Sequence, residues 1–135
     1  MLGLLDIDPS AAAPIWRQIE AGMRRLVASG ALPVGVAVPS VRELARELRV
    51  NPATVSKAYQ RLTAEDALEV RRGEGTFVAA RPAEAVAAER ERLLAEGAGH
   101  FVEAARSMGV AEDEALGAVS AAWGSAPAAG DGGKK

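Results

Sequence analysis

Pro39–Val78 reads PSVRELARELRVNPATVSKAYQRLTAEDALEVRRGEGTFV, and its punctuation divides it into two short helices and a hairpin. Ser40-Val41-Arg42-Glu43 has S-x-x-E spacing, in which the serine hydroxyl accepts from the Glu43 amide while the Glu43 carboxylate reaches back to the Ser40 amide. A helix starting at Val41 places Val41, Leu44, Ala45 and Leu48 on one stripe and leaves Arg42, Glu43, Arg46 and Glu47 in water. Asn51-Pro52 is a second start signal, because Asn is a favoured cap and Pro at the first helical position gives up an amide that has no partner anyway. The second helix is predicted from Pro52 to about Glu65. Only Arg49, Val50 and Asn51 separate the two helices, which suits a crossing pair rather than an antiparallel hairpin.

In the second helix Val55, Ala58, Tyr59 and Leu62 form the inward face, with Tyr59 expected as a core aromatic. Ala53, Thr54, Ser56, Lys57, Gln60 and Arg61 point outward, and the small and polar ones crowd the first turn, where base edges and phosphate are met. Next come Leu68–Arg72, the turn Gly73-Glu74-Gly75 and Thr76–Ala79, two β-prone runs around glycines with Arg71 and Arg72 at the tip. The fold class that follows is mainly α with a small β-hairpin, a winged helix-turn-helix that reads duplex DNA. Arg42, Asn51, Ala53, Thr54, Ser56, Lys57 and Arg61 are the groove-facing candidates, and Arg71, Arg72, Gly73 and Thr76 the wing candidates. Arg42, Lys57, Arg61, Arg71 and Arg72 are expected to share one positive surface. The competing reading makes the arginines a solvated face paired to Glu43, Glu65 and Glu69.

Upstream, Leu4–Ile7 reads as a short extended segment closed by the turn signal Asp8-Pro9-Ser10. Pro14 opens a helix to about Ser29, with Ile15, Ile19, Met23, Leu26 and Val27 inward and Gly30 as its stop. Leu32–Pro39 reads as a loop, with Val38 filling the core. Downstream, Pro82 ends the wing. A long helix is predicted from Ala83 to about Met108, weakened by Gly97 and Gly99 and stopped by Gly109, with Glu89, Glu91, Glu96 and Glu103 on its wet face. A last helix runs from Glu112 to about Trp123 with an acidic first turn.

With P-I-W-x-Q-I from Pro14, P-S-V-R-E-L-A from Pro39, V-N-P-A-T-V-S-K-A-Y from Val50 and R-R-G-x-G-T-F-V from Arg71, the stretch Pro14–Val78 resembles the DNA-binding domain of the GntR family of bacterial transcription regulators. The short helical tail after the wing is similar to the YtrA-type branch. The resemblance implies a homodimeric repressor on an inverted-repeat operator, acting in the cytoplasm. Family members carry Gly in the helix-turn-helix turn and again after the recognition helix, where this chain has Arg49 and Asp66-Ala67. A residue with a side chain held there at positive φ costs about 1 kcal/mol.

The chain's 135 residues carry 16 Lys and Arg against 18 Asp and Glu, and no cysteine. Disulfides and thiolate metal sites are therefore excluded. Residues 1–82 hold 11 basic and 9 acidic side chains and residues 83–135 hold 5 and 9, so the acidity belongs to the tail. Neither a signal peptide nor a membrane-spanning run is recognisable. His100, the lone histidine, has no ligand set around it, and Gly-Glu-Gly is not followed by the G-K-[ST] of a phosphate loop, so neither an enzyme, a metal site nor a cofactor is expected. The domains are read as 1–81 (DNA binding), 82–124 (helical dimerisation) and 125–135 (disordered tail). Leu93, Leu94, Phe101, Val102, Leu116, Val119 and Trp123 are the dimerisation candidates, being too apolar to remain in water without a partner. Homodimer and double-stranded DNA are the expected partners, and the residues name no effector. The alternative class is a winged-helix protein-interaction module without sequence-specific DNA binding, which phosphate-driven salt dependence separates from a DNA binder.

Overall fold

The computed structural model describes residues 5–126. In chain order it contains α1 (Ile15–Ser29), β1 (Ala37–Val38), α2 (Val41–Leu48), α3 (Pro52–Ala64), β2 (Leu68–Arg71), β3 (Gly75–Val78), α4 (Ala83–Ser107) and α5 (Glu112–Ser125). The expectation for the end of the chain, beyond Ala126, and for Leu4 lies outside the described residues.

The predicted caps set the helix boundaries. Ser40 Oγ accepts from the Glu43 amide at 3.0 Å, and Glu43 Oε1 accepts from the Ser40 amide at 2.9 Å. Asn51 Oδ1 accepts from the Ala53 amide at 2.8 Å, with Pro52 as the first residue of α3. Gly30, at φ 87°, ends α1.

The core of the winged helix forms where α1 and α3 cross α2 and the sheet. Ile19, Met23, Leu32, Leu44, Val55, Leu62, Leu68 and Val78 are almost wholly buried. At roughly 1.5–3 kcal/mol for each large aliphatic side chain removed from water, this set supplies the main driving force for the domain. Tyr59 is buried with them and its hydroxyl donates to the Pro39 carbonyl at 2.7 Å, tying α3 to the residue that leads into α2. Burial, then the charges of Glu43 and Glu47, push its phenol above the ordinary value of 10, so it stays a donor.

The loop predicted over Leu32–Pro39 contains a strand. Ala37 pairs with Phe77 and Val38 with Thr76, giving an antiparallel sheet of order β1-β3-β2 in which the hairpin's second strand is central. Two residues between Gly35 and Pro39 carry no strand periodicity of their own, and β3 supplies the partners. Val38 does fill the core, as expected.

The chain divides into two compact units, Met1–Arg90 and Glu91–Lys135. In the first, the start of α4 is fastened by Glu89, which is buried rather than on a wet face. It takes Arg24 Nη1 at 3.1 Å and Arg81 Nη1 at 2.8 Å. Burial favours the neutral acid, but the hydrogen bonds and charges of the two arginines outweigh it and hold the carboxyl below its ordinary value of 4.5. Arg24 also bonds Glu20 at 3.1 Å and pairs with Glu65, so one guanidinium joins α1, the end of α3 and α4. In the second unit α4 ends with the Gly109 amide on Arg106 O and the Val110 amide on Ala105 O, both at 3.0 Å, and Gly109 at φ 73°. The acidic first turn of α5, Glu112, Asp113 and Glu114, suits its positive dipole end.

Candidate nucleic-acid interface

Between α2 and α3 the chain reverses through Arg49, at φ 59° and ψ 47°. The Val50 amide donates to Ala45 O at 3.0 Å and the Arg49 amide reaches Arg46 O at 3.3 Å, a pattern in which left-handed backbone at the residue after the helix satisfies the last carbonyls. The same arrangement closes α3, where Asp66 stands at φ 62°, the Ala67 amide donates to Leu62 O at 2.8 Å and the Asp66 amide to Thr63 O at 3.1 Å. Among the described residues, Arg49 and Asp66 are the two non-glycines at positive φ. At both turns the chain holds a residue other than glycine in left-handed backbone, at the cost of a Cβ in a crowded region.

This turn presents α3 with Val55, Ala58, Tyr59 and Leu62 inward, as predicted. Ala53, Lys57, Gln60 and Arg61 are exposed, and Thr54 and Ser56 are half-buried. The Asn51 side chain is occupied as a cap, and Ser56 Oγ accepts weakly from Gln60 Nε2 at 3.4 Å. Arg42, on α2, is exposed and has no hydrogen bond or ion pair among the described residues. Arg72 at the wing tip is likewise exposed and unpaired among them.

Arg71 is held differently. Its Nε donates to Glu69 Oε2 at 2.7 Å and its guanidinium lies 4.0 Å from the centroid of the Phe77 ring. The solvated-pair expectation therefore applies to Arg71 with Glu69, whereas Glu65 takes Arg24 and Arg61 turns to Glu20 at 3.2 Å. Gly73, at φ 79°, and the Glu74 amide on Arg71 O at 2.8 Å make the wing turn, and Thr76 is half-buried on β3.

Sequence reasoning missed the residues that hold this surface from α1. Trp16 lies under three cations, with Lys57 Nζ 4.5 Å from the ring centroid and the Arg17 and Arg61 guanidinium carbons each 5.1 Å from it. Gln18 clamps the incoming chain: its Oε1 accepts from the Asp8 amide at 2.8 Å while its Nε2 donates to Asp8 O at 2.9 Å and Ala13 O at 2.8 Å. Asp8 in turn takes the Ser10 hydroxyl and amide, which lower its pKa. Both Trp16 and Gln18 lie in the P-I-W-x-Q-I stretch, where the tryptophan beside a polar-facing turn was the only available signal.

The arrangement offers no reacting group. It offers exposed cations and short polar side chains on one helix and a projecting basic wing, which suits phosphate contact and base-edge readout. No helix among the described residues is long and apolar enough to cross a membrane.

Residues 16–78 match the profile of the bacterial regulatory proteins of the gntR family. The chain is 44% identical over 75 residues to the HTH-type transcriptional repressor YtrA of Bacillus subtilis (strain 168), covering 56% of this chain and 58% of that repressor. It is 35% identical over 113 residues to the uncharacterized HTH-type transcriptional regulator YhcF of the same organism, covering 83% of this chain and 92% of that one. Among solved structures, YtrA from Sulfolobus acidocaldarius, a GntR-family transcription factor, is similar with a TM-score of 0.56 and 34% identity over 68% of this chain and 98% of that chain.

Proposed function

Because the chain belongs to the GntR family, in its YtrA-type branch, and is a sequence-specific DNA-binding transcription regulator rather than an enzyme, we propose that it acts as a homodimeric repressor of an inverted-repeat operator. The observation that carries this reading is the exposed state of Arg42, Lys57 and Arg72, none of which has an ion pair among the described residues. Side chains of that kind remain in water when they are solvated for their own sake, but here they flank a helix whose first turn is small and polar, as groove entry requires. In this reading Arg42, Lys57 and Arg61 anchor or read the major groove with Asn51, Ala53, Thr54 and Ser56. Arg71, Arg72, Gly73 and Thr76 form the wing that meets the flanking phosphate or minor groove.

Dimerisation is supported by the apolar exposure of the second unit. Leu94, Phe101, Val102, Leu116, Val119 and Trp123 are exposed, Trp123 at 84%, while Leu93 is half-buried. A second copy covers such a patch through a two-fold axis, and two recognition helices then fall about one DNA turn, roughly 34 Å, or a multiple of it apart. Repression follows from occupying a site that overlaps a promoter, in the cytoplasm where the chromosome lies. The similar Bacillus protein is named a repressor, which favours that sign.

Duplex binding measured across a salt series tests the reading. Counterion release predicts log K falling linearly with log salt, with a slope of about −0.9 for each phosphate neutralised. Binding that ignores salt would instead indicate the protein-interaction class.

A further inference from the structure

The cluster around Trp16 is not explained by packing alone. Lys57 and Arg61 lie one helical turn apart on α3, and Arg17 follows Trp16 in the first turn of α1, so three positive charges meet at one indole. Glu20 answers only one of them, Arg61, and is itself shared with Arg24. Lys57 and Arg17 have no ion pair among the described residues. The start of α1 adds its positive dipole end to the field, and Pro14 gives it no side-chain cap. Mutual repulsion of this kind is relieved by an anion.

We infer that Trp16 and Arg17 extend the DNA-contacting surface onto α1, where the indole pre-positions Lys57 and Arg61 and Arg17 joins them on one stretch of backbone phosphates. The inference rests on the DNA-binding reading of α3. A helix with its side chains is about 10–12 Å across and the major groove about 12 Å wide, so cations on the flank of a helix in that groove meet the phosphate ridge rather than base edges. Long side chains lose rotamer freedom when they grip a phosphate, and two of them already resting on an aromatic ring lose less. Trp16 acts as a positioning residue and Arg17 as a direct contact. Glu20 holds Arg61 in the free protein and releases it to phosphate on binding.

Two substitutions in the full chain separate these roles, with affinity for a selected operator duplex read across a salt series. Arg17→Ala, at an exposed position, should flatten the salt slope by about 0.9 and weaken binding to all duplexes alike. Trp16→Leu keeps an apolar side chain against the core but removes the ring, and should weaken operator binding about 5- to 20-fold, whereas Trp16→Phe should stay within about 3-fold of the unsubstituted chain. Trp16→Leu and Trp16→Phe binding equally well would overturn the positioning role, and an unchanged slope in Arg17→Ala would overturn the contact. Absence of any salt slope in the unsubstituted chain would overturn the DNA-binding reading itself, which is a different failure. Because Arg17 lies on the surface, its result stands even if Trp16→Leu unfolds the domain.

Discussion

Arg24 Nη1 donates to Glu89 Oε2 at 3.1 Å, across 65 residues of sequence, and joins the middle of α1 to the second turn of α4. Both side chains are largely removed from water, and the same carboxylate takes Arg81, whose Nε and Nη2 are buried without a partner among the described residues. Removing the carboxylate charge leaves the Arg81 guanidinium uncompensated among the described residues and takes from Arg24 one of its three carboxylates, the others being Glu20 and Glu65. Glu89→Gln should therefore destabilise the chain by about 2–4 kcal/mol, measured by urea unfolding near neutral pH. The sign of the pH dependence follows from the lowered carboxyl pKa. Its stabilisation is complete above the unfolded value of about 4.5 and is lost as pH falls through the depressed folded value, so the variant should show a weaker loss of stability on acidification than the unsubstituted chain.

At the two turns where glycine is absent, relief of the left-handed strain should outweigh the added freedom of the unfolded chain. Arg49→Gly is expected to raise stability by about 0.5–1 kcal/mol, and Asp66→Gly by less, since Asp tolerates this region better. Thermal unfolding of the two variants checks this. Unchanged or lower midpoints would mean that the Arg49 and Asp66 side chains make compensating interactions.

Arg42, exposed and unpaired, carries the most direct prediction about readout. If it makes a bidentate base contact, Arg42→Ala should weaken operator binding by about 1–3 kcal/mol and relax selectivity at one position of each half-site. A gel shift unchanged by the substitution would remove Arg42 from the interface.

For assembly, Trp123→Ser and Phe101→Ser remove large exposed apolar side chains from the second unit. Each should shift sedimentation towards the monomer while the unfolding of the winged helix is unaltered. Operator affinity should then fall more steeply than affinity for a single half-site, because the second half-site is no longer held nearby.

The helix-turn-helix was legible because its signals are local. Ser40 with Glu43, and Asn51 with Pro52, announce helix starts within four residues, and the apolar spacing of Val55, Ala58, Tyr59 and Leu62 fixes which face is outward. What escaped is set by pairs far apart in sequence. β1 is two residues whose strand character comes from β3, 40 positions on by the register of Ala37 with Phe77. Glu89 looks like any exposed glutamate of a long helix until Arg24 and Arg81 are brought to it. Trp16 has no periodic or capping signature that would foretell Lys57 and Arg61 above its ring. Local chemistry dictated where α3 begins and which way it faces, and tertiary contacts decided which cations it carries free.

Selection of bound sequences from a pool of random duplexes tests the central claim most directly, because it reports readout and symmetry together. A regulator that presents α3 outward and pairs with a second copy should enrich an inverted repeat, with half-site centres about one helical turn or a multiple of it apart. Recovery of no common sequence, or of a single unrepeated site with the same affinity as the repeat, would contradict it.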